Sequence, residues 1–345
     1  MSITVPNEPA AGPTSALPAI PAGAGSLVLL LLLALMPAIA GRFVLTEVFG
    51  LAFVLGTIAL SLQFLAGYGG MVSLAQMTVA GVAGYMVAIL GVNTMNFGLA
   101  WPWWIAIPFA LAIAVFASAL IGLLAIRTIG IYTIMITLAI AAAFYYFAFQ
   151  NYTIFNGYNG INGVSPPALF GIDWREPTAL YYLLLAFAAV SYAAVLYVSR
   201  SPFGLALQGI RDNPRRMEAI GFNVAAHRVA AYVFAGAIAA VGGLLLLWHN
   251  GRISPGTIGV DAAIDILIIA VIGGLRHPIG PFMGALIYAV LSTFAMDIVE
   301  VFLGRERFKL VIGLGFLLTV LFSPDGILGI WERIKRNAGG GTAIV

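Results

Sequence analysis

SRSPFGLALQGIRDNPRRMEAIGFNVA, residues 199–225, is the most charged window in an otherwise apolar chain. It carries Arg200, Arg211, Asp212, Arg215, Arg216 and Glu218, and the flanking apolar runs end near Val198 and resume near Val229. Its punctuation is helical. Ser201 is a capping residue, and Pro202 suits the first helical position, where a missing N–H costs nothing. Leu205, Leu207 and Ile210 supply a short apolar face. Asn213-Pro214 stops this helix and starts another by the same rule. Gly221 closes the second helix, and Asn223 caps the run that follows. The window predicts two short helices at an elbow, too short and too charged to cross a bilayer. Such an element lies along a membrane surface and presents side chains to the aqueous phase. By charge alone, an ordinary positive inside loop is the simpler account.

Outward from the elbow, the chain is 62% hydrophobic and only 8% charged over 345 residues. A soluble domain carries about a quarter charged residues. The chain therefore reads as a polytopic membrane protein, built of helices or a closed barrel. Its apolar runs are long and do not alternate, which predicts an all-α fold. The 40 glycines suit close helix packing in lipid. A net charge of +3 is too small and scattered to indicate nucleic acid. With no cysteine, there is neither a disulfide nor thiol chemistry.

Residues 1–25 are rich in Pro, Ala, Gly and Ser and predict a disordered tail. Leu27–Leu35 followed by Ala38-Ile39-Ala40 mimics a signal peptide, but the basic leader is missing, so a retained first span at 26–41 is expected. Further spans are expected at 44–66, 69–91, 102–126, 128–150, 178–199, 226–247, 261–275, 281–304 and 308–330. This makes ten crossings and a transmembrane domain over 26–330, with a cytoplasmic tail at 331–345. The 261–275 piece is short for a full crossing of about 20 residues.

Placing 199–225 inside puts ten of the sixteen Lys and Arg inside, a modest bias of the expected sign. The loop at 151–177, rich in Asn, Gly and Tyr, then faces outward, either as a plain connection or as a docking surface for a binding protein. A weak internal symmetry is also present. Gly69-Gly70 precedes Gly81 and Gly84, much as Gly273-Gly274 precedes Gly280 and Gly284. Matching 44–150 to 226–330 predicts an inverted repeat, a plan common among transporters.

Two further stretches carry polar or helix-breaking residues. In Gly67-Tyr68-Gly69-Gly70-Met71-Val72-Ser73-Leu74-Ala75-Gln76, three glycines in four residues weaken a helix. They predict an unwound segment, tolerated only where it lines protein or water. Ser73 and Gln76, three apart, can hydrogen-bond a solute or a neighbouring helix. In the second stretch, Asp265 begins an apolar run that ends in Gly273-Gly274, and Asp261 shares its face. Carboxylates near a span are costly and point to function. Asp297 and Glu300 read as solvated groups at an interface.

No motif for catalysis is present. There is no GxxxxGK[ST], and neither Lys309 nor Lys335 lies in a glycine loop. His227, His249 and His277 are not at metal spacing. The chain is expected to be no enzyme and to hold no metal or cofactor.

Residues 199–225 and the small-residue helix after them resemble the cytoplasmic signature of permease subunits of branched-chain amino acid (leucine/isoleucine/valine) ABC importers. That signature runs Ser-Pro-Phe/Tyr-Gly-Arg-Ala-Leu-x-Ala-Ile-Arg-x-Asp/Asn, then Gly-Ile. Leu205 and Phe222 depart from it. Gly67–Gln76 and Asp265–Ala285 resemble two further family patterns, with Ala75, Arg276 and His277 as departures. The resemblance implies that 199–225 docks on an ATPase subunit. The residues expected to serve that coupling are Pro202, Gly204, Ala206, Arg211, Asp212, Arg215, Glu218 and Gly221, the bare Gly204 and Ala206 leaving room for the partner. Gly67, Gly70, Ser73, Gln76, Asp265, Gly273 and Gly274 are expected along the translocation pathway. The resemblance also implies a bacterial inner-membrane location, a heterodimer with a paralogous permease, two ATPase subunits that hold ATP and magnesium, and an extracytoplasmic binding protein. The solute stays open among branched-chain amino acids, urea, amides and aromatic acids, with branched-chain amino acids expected first. An ion-gradient-driven secondary transporter or channel would account for the inverted halves and Asp265, but not for the elbow.

Overall fold

A computed structural model of the chain describes residues 24–302, apart from 96–97, 129, 169–170 and 172, together with positions 313 and 317. The expected span at 308–330, the tail at 331–345 and most of the tail at 1–25 lie outside the described residues. The chain divides into two units, Met1–Ala40 and Gly41–Val345. In the first, the leucine-rich run forms α1 (Ala24–Leu35), and Pro37 opens a single 3-10 turn at Met36–Ala38.

The second unit opens with α2 (Val44–Tyr68). Its centre, Leu51–Gln63, is α-helical, and both ends widen into π turns, at Val44–Gly50 and Phe64–Tyr68. There follow α3 (Gln76–Leu90), α4 (Trp103–Ala125), α5 (Ile131–Gln150) and the single turn α6 (Tyr152–Phe155). The elbow is α8 (Pro202–Asp212) and α9 (Pro214–Ala219), between α7 (Pro177–Arg200) and α10 (Val224–Asn250). The described part ends with α11 (Val260–Gly273) and α12 (Gly280–Phe302). Among the described residues, six helices are long and apolar enough to cross a membrane: α2, α4, α5, α7, α10 and Pro255–Gly273. Gln76–Leu90 and Gly280–Phe294 are apolar but shorter. The expected crossing at 69–91 is thus helical only from Gln76, because the glycines after α2 break its first part.

The two most enclosed long helices are α2 and α10. They pack on each other; α10 also packs on α3 and α4, while α2 packs on α7, α11 and α12. In lipid, water drives no association between helices, so close backbone approach carries the packing. Gly243 on α10 faces the Ala80 carbonyl of α3, where an added Cβ would sit 2.0 Å from the oxygen. Outward faces of α4 and α5 remain apolar, with Phe116 and Ile131 mostly exposed.

Connections segregate to two ends. At one, β1 (Ile161–Asn162) pairs antiparallel with β2 (Arg252–Ile253), Ile161 opposite Ile253. Thr94 N–H donates to the Gly163 carbonyl at 3.2 Å, so a third loop joins them there. The elbow, the break at 69–75 and the turn after α11 meet at another place, described below.

Gly243→Ala is expected to cost about 1–3 kcal/mol, because the carbonyl it meets is backbone and cannot turn aside. Gly41→Ala, with nothing within 4 Å of the added Cβ, is expected to stay within about 0.5 kcal/mol. Thermal unfolding of the two variants in detergent reads the difference.

Candidate functional site

The elbow is held by the three caps its sequence predicts. Ser201 Oγ accepts from Gly204 N–H at 3.3 Å, Asn213 Oδ1 from Arg216 N–H at 3.0 Å, and Asn223 Oδ1 from Ala226 N–H at 3.0 Å. Gly221 takes a left-handed φ of +94° at the exit from α9, a conformation glycine adopts without Cβ strain. The buried face of α8 is Gly204, Ala206, Leu207 and Ile210. Here one expectation is corrected. Gly204 and Ala206 do not leave room for a partner. A Cβ on Gly204 would lie 2.2 Å from the Val198 carbonyl, so its bareness lets α8 fold back on the end of α7. Gln208 Nε2 reinforces that fold by donating to the Ser199 carbonyl at 3.2 Å. The Phe203 ring stacks on His227 of α10, 5.8 Å between centroids. Leu205 also departs from the expected apolar face. Two residues from Leu207, it points the other way and is 61% exposed. It shares the exposed surface with Pro202, Asp212, Arg215, Glu218 and Ile220.

Past α2 the chain is non-helical from Gly70 to Ser73, turns at Leu74 and Ala75, and resumes helix at Gln76. This is the unwound segment the glycines predict. Several of its backbone amides find partners inside the chain. Met71 N–H donates to the Leu65 carbonyl at 3.0 Å, and Leu74 N–H to Thr137 Oγ1 of α5 at 3.1 Å. Ser73 and Gln76 are buried, and Gln76 Oε1 accepts from Ser61 Oγ of α2 at 3.1 Å. Of the two roles open to Gln76, the contact observed is the one with a neighbouring helix.

The second glycine pair is also used in packing. A Cβ on Gly273 would lie 1.9 Å from the Gly280 carbonyl, so α11 and α12 touch backbone to backbone there. Gly274 turns the chain with φ +109°. Asp265 is half-buried on α11, and Tyr288 of α12 donates to its Oδ2 at 3.1 Å. Asp261, on the same helix, is exposed. The side chains of Asp297 and Glu300 lie outside those described.

All three stretches converge at the end of α2. Arg211, in the last turn of α8, donates through Nη1 to the Gly67 carbonyl and through Nε to Asp212 Oδ1 at 2.9 Å. Gly67 lies directly under the Leu275 carbonyl, where a Cβ would approach to 2.4 Å. Gln63 Nε2 donates to that same carbonyl at 2.9 Å. Sequence reasoning missed Gln63 and Thr137, polar residues in apolar helices whose partners are far along the chain. It placed Arg211 at an interface; the side chain is 40% exposed and is also bonded to the Gly67 carbonyl.

A family profile described as "Branched-chain amino acid transport system / permease component" matches residues 44–321. The high-affinity branched-chain amino acid transport system permease protein LivM of Salmonella typhimurium is 23% identical over 356 residues, covering 95% of this chain and 81% of that protein. The permease protein BraD of Pseudomonas aeruginosa, of a system so named, is 30% identical over 166 residues, 47% of this chain and 52% of its own. A nucleoside ABC transporter permease protein, NupC of Lactococcus lactis, is 28% identical over 141 residues, 41% of this chain and 43% of its own. No solved structure matches the chain. With its apolar helices and a match running through all three converging stretches, the chain belongs to the family of branched-chain amino acid transport permease components, as a multi-pass ABC importer subunit of the bacterial inner membrane.

Proposed function

We propose that this permease carries branched-chain amino acids inward as one half of a heterodimer with a paralogous permease, and that two separate ATPase subunits dock on the elbow at 199–225. The observation that carries the reading is the elbow's exposed face. Leu205 and Ile220, 61% and 65% exposed, stand among Asp212, Arg215 and Glu218. Apolar anchors with charged groups around them are what a protein partner fits. The sequence has no GxxxxGK[ST], so ATP and magnesium belong to the partners and the chain itself hydrolyses nothing. The elbow is then cytoplasmic, and the loops joined by β1 and β2 face the binding protein. The names of LivM and BraD support the choice of solute.

The same reading includes ten crossings arranged as an inverted repeat. Its support is a symmetry in the packing. Exchanging α2 with α10, α3 with α11 and α4 with α12 turns one set of helix contacts into the other. The α2–α12 contact becomes α10–α4, α2–α11 becomes α10–α3, and α3–α4 becomes α11–α12, while α2–α10 maps onto itself. The close α2–α3 neighbours have no equally extensive counterpart.

Two outcomes follow. The paired change Leu205→Asp with Glu218→Arg is expected to leave the permease folded and to weaken ATPase retention on co-purification at least tenfold, about 1.4 kcal/mol. Full retention would move the docking surface elsewhere. Separately, a binding protein loaded with leucine, isoleucine or valine should stimulate ATP hydrolysis by the assembled complex. Asp265→Asn should leave that stimulated rate within about twofold, because an amide oxygen still accepts from Tyr288. Stimulation by a nucleoside but by no branched-chain amino acid would replace the solute. Uptake that survives ATP depletion and stops with the ion gradient would replace the energy source.

A further inference from the structure

Arg211 lies on the elbow, yet its bonds lead into the membrane part of the chain. Its guanidinium caps the Gly67 carbonyl, one of the last-turn carbonyls of α2 that have no partner within the helix. A cation there also suits the negative end of the helix dipole. Nε is held by Asp212 at 2.9 Å, which fixes the plane of the fork. The aliphatic stem covers Gly70, where an added Cβ would come within 2.7 Å of Arg211 Cγ. Gly70 itself has φ +65° and starts the non-helical segment. One side chain therefore touches two points at the α2 end of the break, the last-turn carbonyl of Gly67 and the first left-handed residue, Gly70. Through Gly67 the contact continues to the Leu275 turn between α11 and α12, which Gln63 ties to α2.

The rest of α8 is fastened in a way that would pass motion along. Leu207 and Ile210 have no exposure, and Leu207 reaches Gly69. Leu205 and Glu218 are exposed and do not bond to Arg211, whose own side chain keeps 40% exposure beside Asp212.

We propose that Arg211 is a positioning residue, a strut that carries displacement of the elbow to the α2–α3 break and the α11–α12 turn, and is not part of the surface that holds the ATPase. The proposal rests on the docking reading above, which supplies the displacement. It divides the elbow into two jobs: the outer face binds, and Arg211 transmits. The planar fork matters because Nε and Nη1 bond two partners at once, a geometry that lysine's single ammonium does not reproduce.

The test uses the complete complex in nanodiscs, with Arg211→Lys, Arg211→Met and Gly70→Ala. Three quantities are read: ATPase retention on purification, ATP hydrolysis without the binding protein, and the ratio by which the solute-loaded binding protein stimulates it. Expected for all three variants is wild-type retention and unstimulated hydrolysis, with the stimulation ratio and uptake reduced at least fivefold. Arg211→Met combined with Gly70→Ala should be no worse than the poorer single variant, since both break the same contact. A wild-type stimulation ratio in Arg211→Met overturns the proposal. So does loss of ATPase retention, which would make Arg211 an interface group, and so does failure of both Arg211 variants to elute as monodisperse protein, which would make it purely structural. The docking reading fails by a separate result, full ATPase retention in the Leu205→Asp with Glu218→Arg protein.

Discussion

A backbone N–H inside the hydrocarbon layer has no water to bond and needs a partner from the protein. Among the described residues, the chain meets a form of that demand between α2 and α3, where three glycines end one helix before the next begins. Met71 N–H turns back to the Leu65 carbonyl, and Leu74 N–H crosses to Thr137 on α5. Ser73 Oγ lies 3.4 Å from Ala75 N–H. With those groups satisfied, α3 starts as late as Gln76 and still packs along α10 and α4. The arrangement also leaves the Gly67 carbonyl at the end of α2 for a group from another part of the chain, and Arg211 supplies it.

The interior around this break is held by close contact and a few polar ties. Gly243 beneath the Ala80 carbonyl and Gly273 beneath the Gly280 carbonyl bring backbones together, so dispersion operates at short range. Ser61 reaches Gln76, Gln63 reaches the Leu275 carbonyl, and Ser118 Oγ donates to the Tyr232 carbonyl at 2.7 Å. Each such tie between membrane helices contributes about 0.6 kcal/mol on average. Their value lies as much in fixing register as in stability, because each one pins a particular turn of one helix to a particular turn of another.

Much of the elbow was legible in the sequence because its signals are local. A cap needs only Ser201, Asn213 or Asn223 and the two or three residues that follow, and all three caps form as expected. The glycine break before α3 was legible for the same reason. What a small residue faces was not. Gly204 and Gly273 report that something comes close, but composition cannot say whether it is a partner, a solute or the chain's own backbone. Here it is the backbone. Thr137 was missed because its partner lies 63 residues away and nothing near it in α5 marks it. Arg211 was legible only in part: its side chain is 40% exposed, as its charge suggested, but its reach to Gly67 depends on tertiary placement 144 residues from its own position.

The elbow's short helices explain why its two faces must be separate. An isolated helix of eleven residues is marginal in water. α8 therefore owes its shape to what it packs on: the end of α7 under Gly204, the body under Leu207 and Ile210, and His227 beside Phe203. Groups used in that anchoring are not free to bind anything else. Under the proposed docking, a partner is left with outer residues such as Leu205, Arg215 and Glu218, and acts on the membrane helices through the anchored side. Because that side is bonded to the end of α2 and not merely packed on it, moving α8 means moving or breaking a charge-assisted hydrogen bond, about twice as strong as a neutral one. In that docking, a helix so placed would serve as a lever with a defined point of attachment, at a place where all three family-matched stretches of the sequence come together.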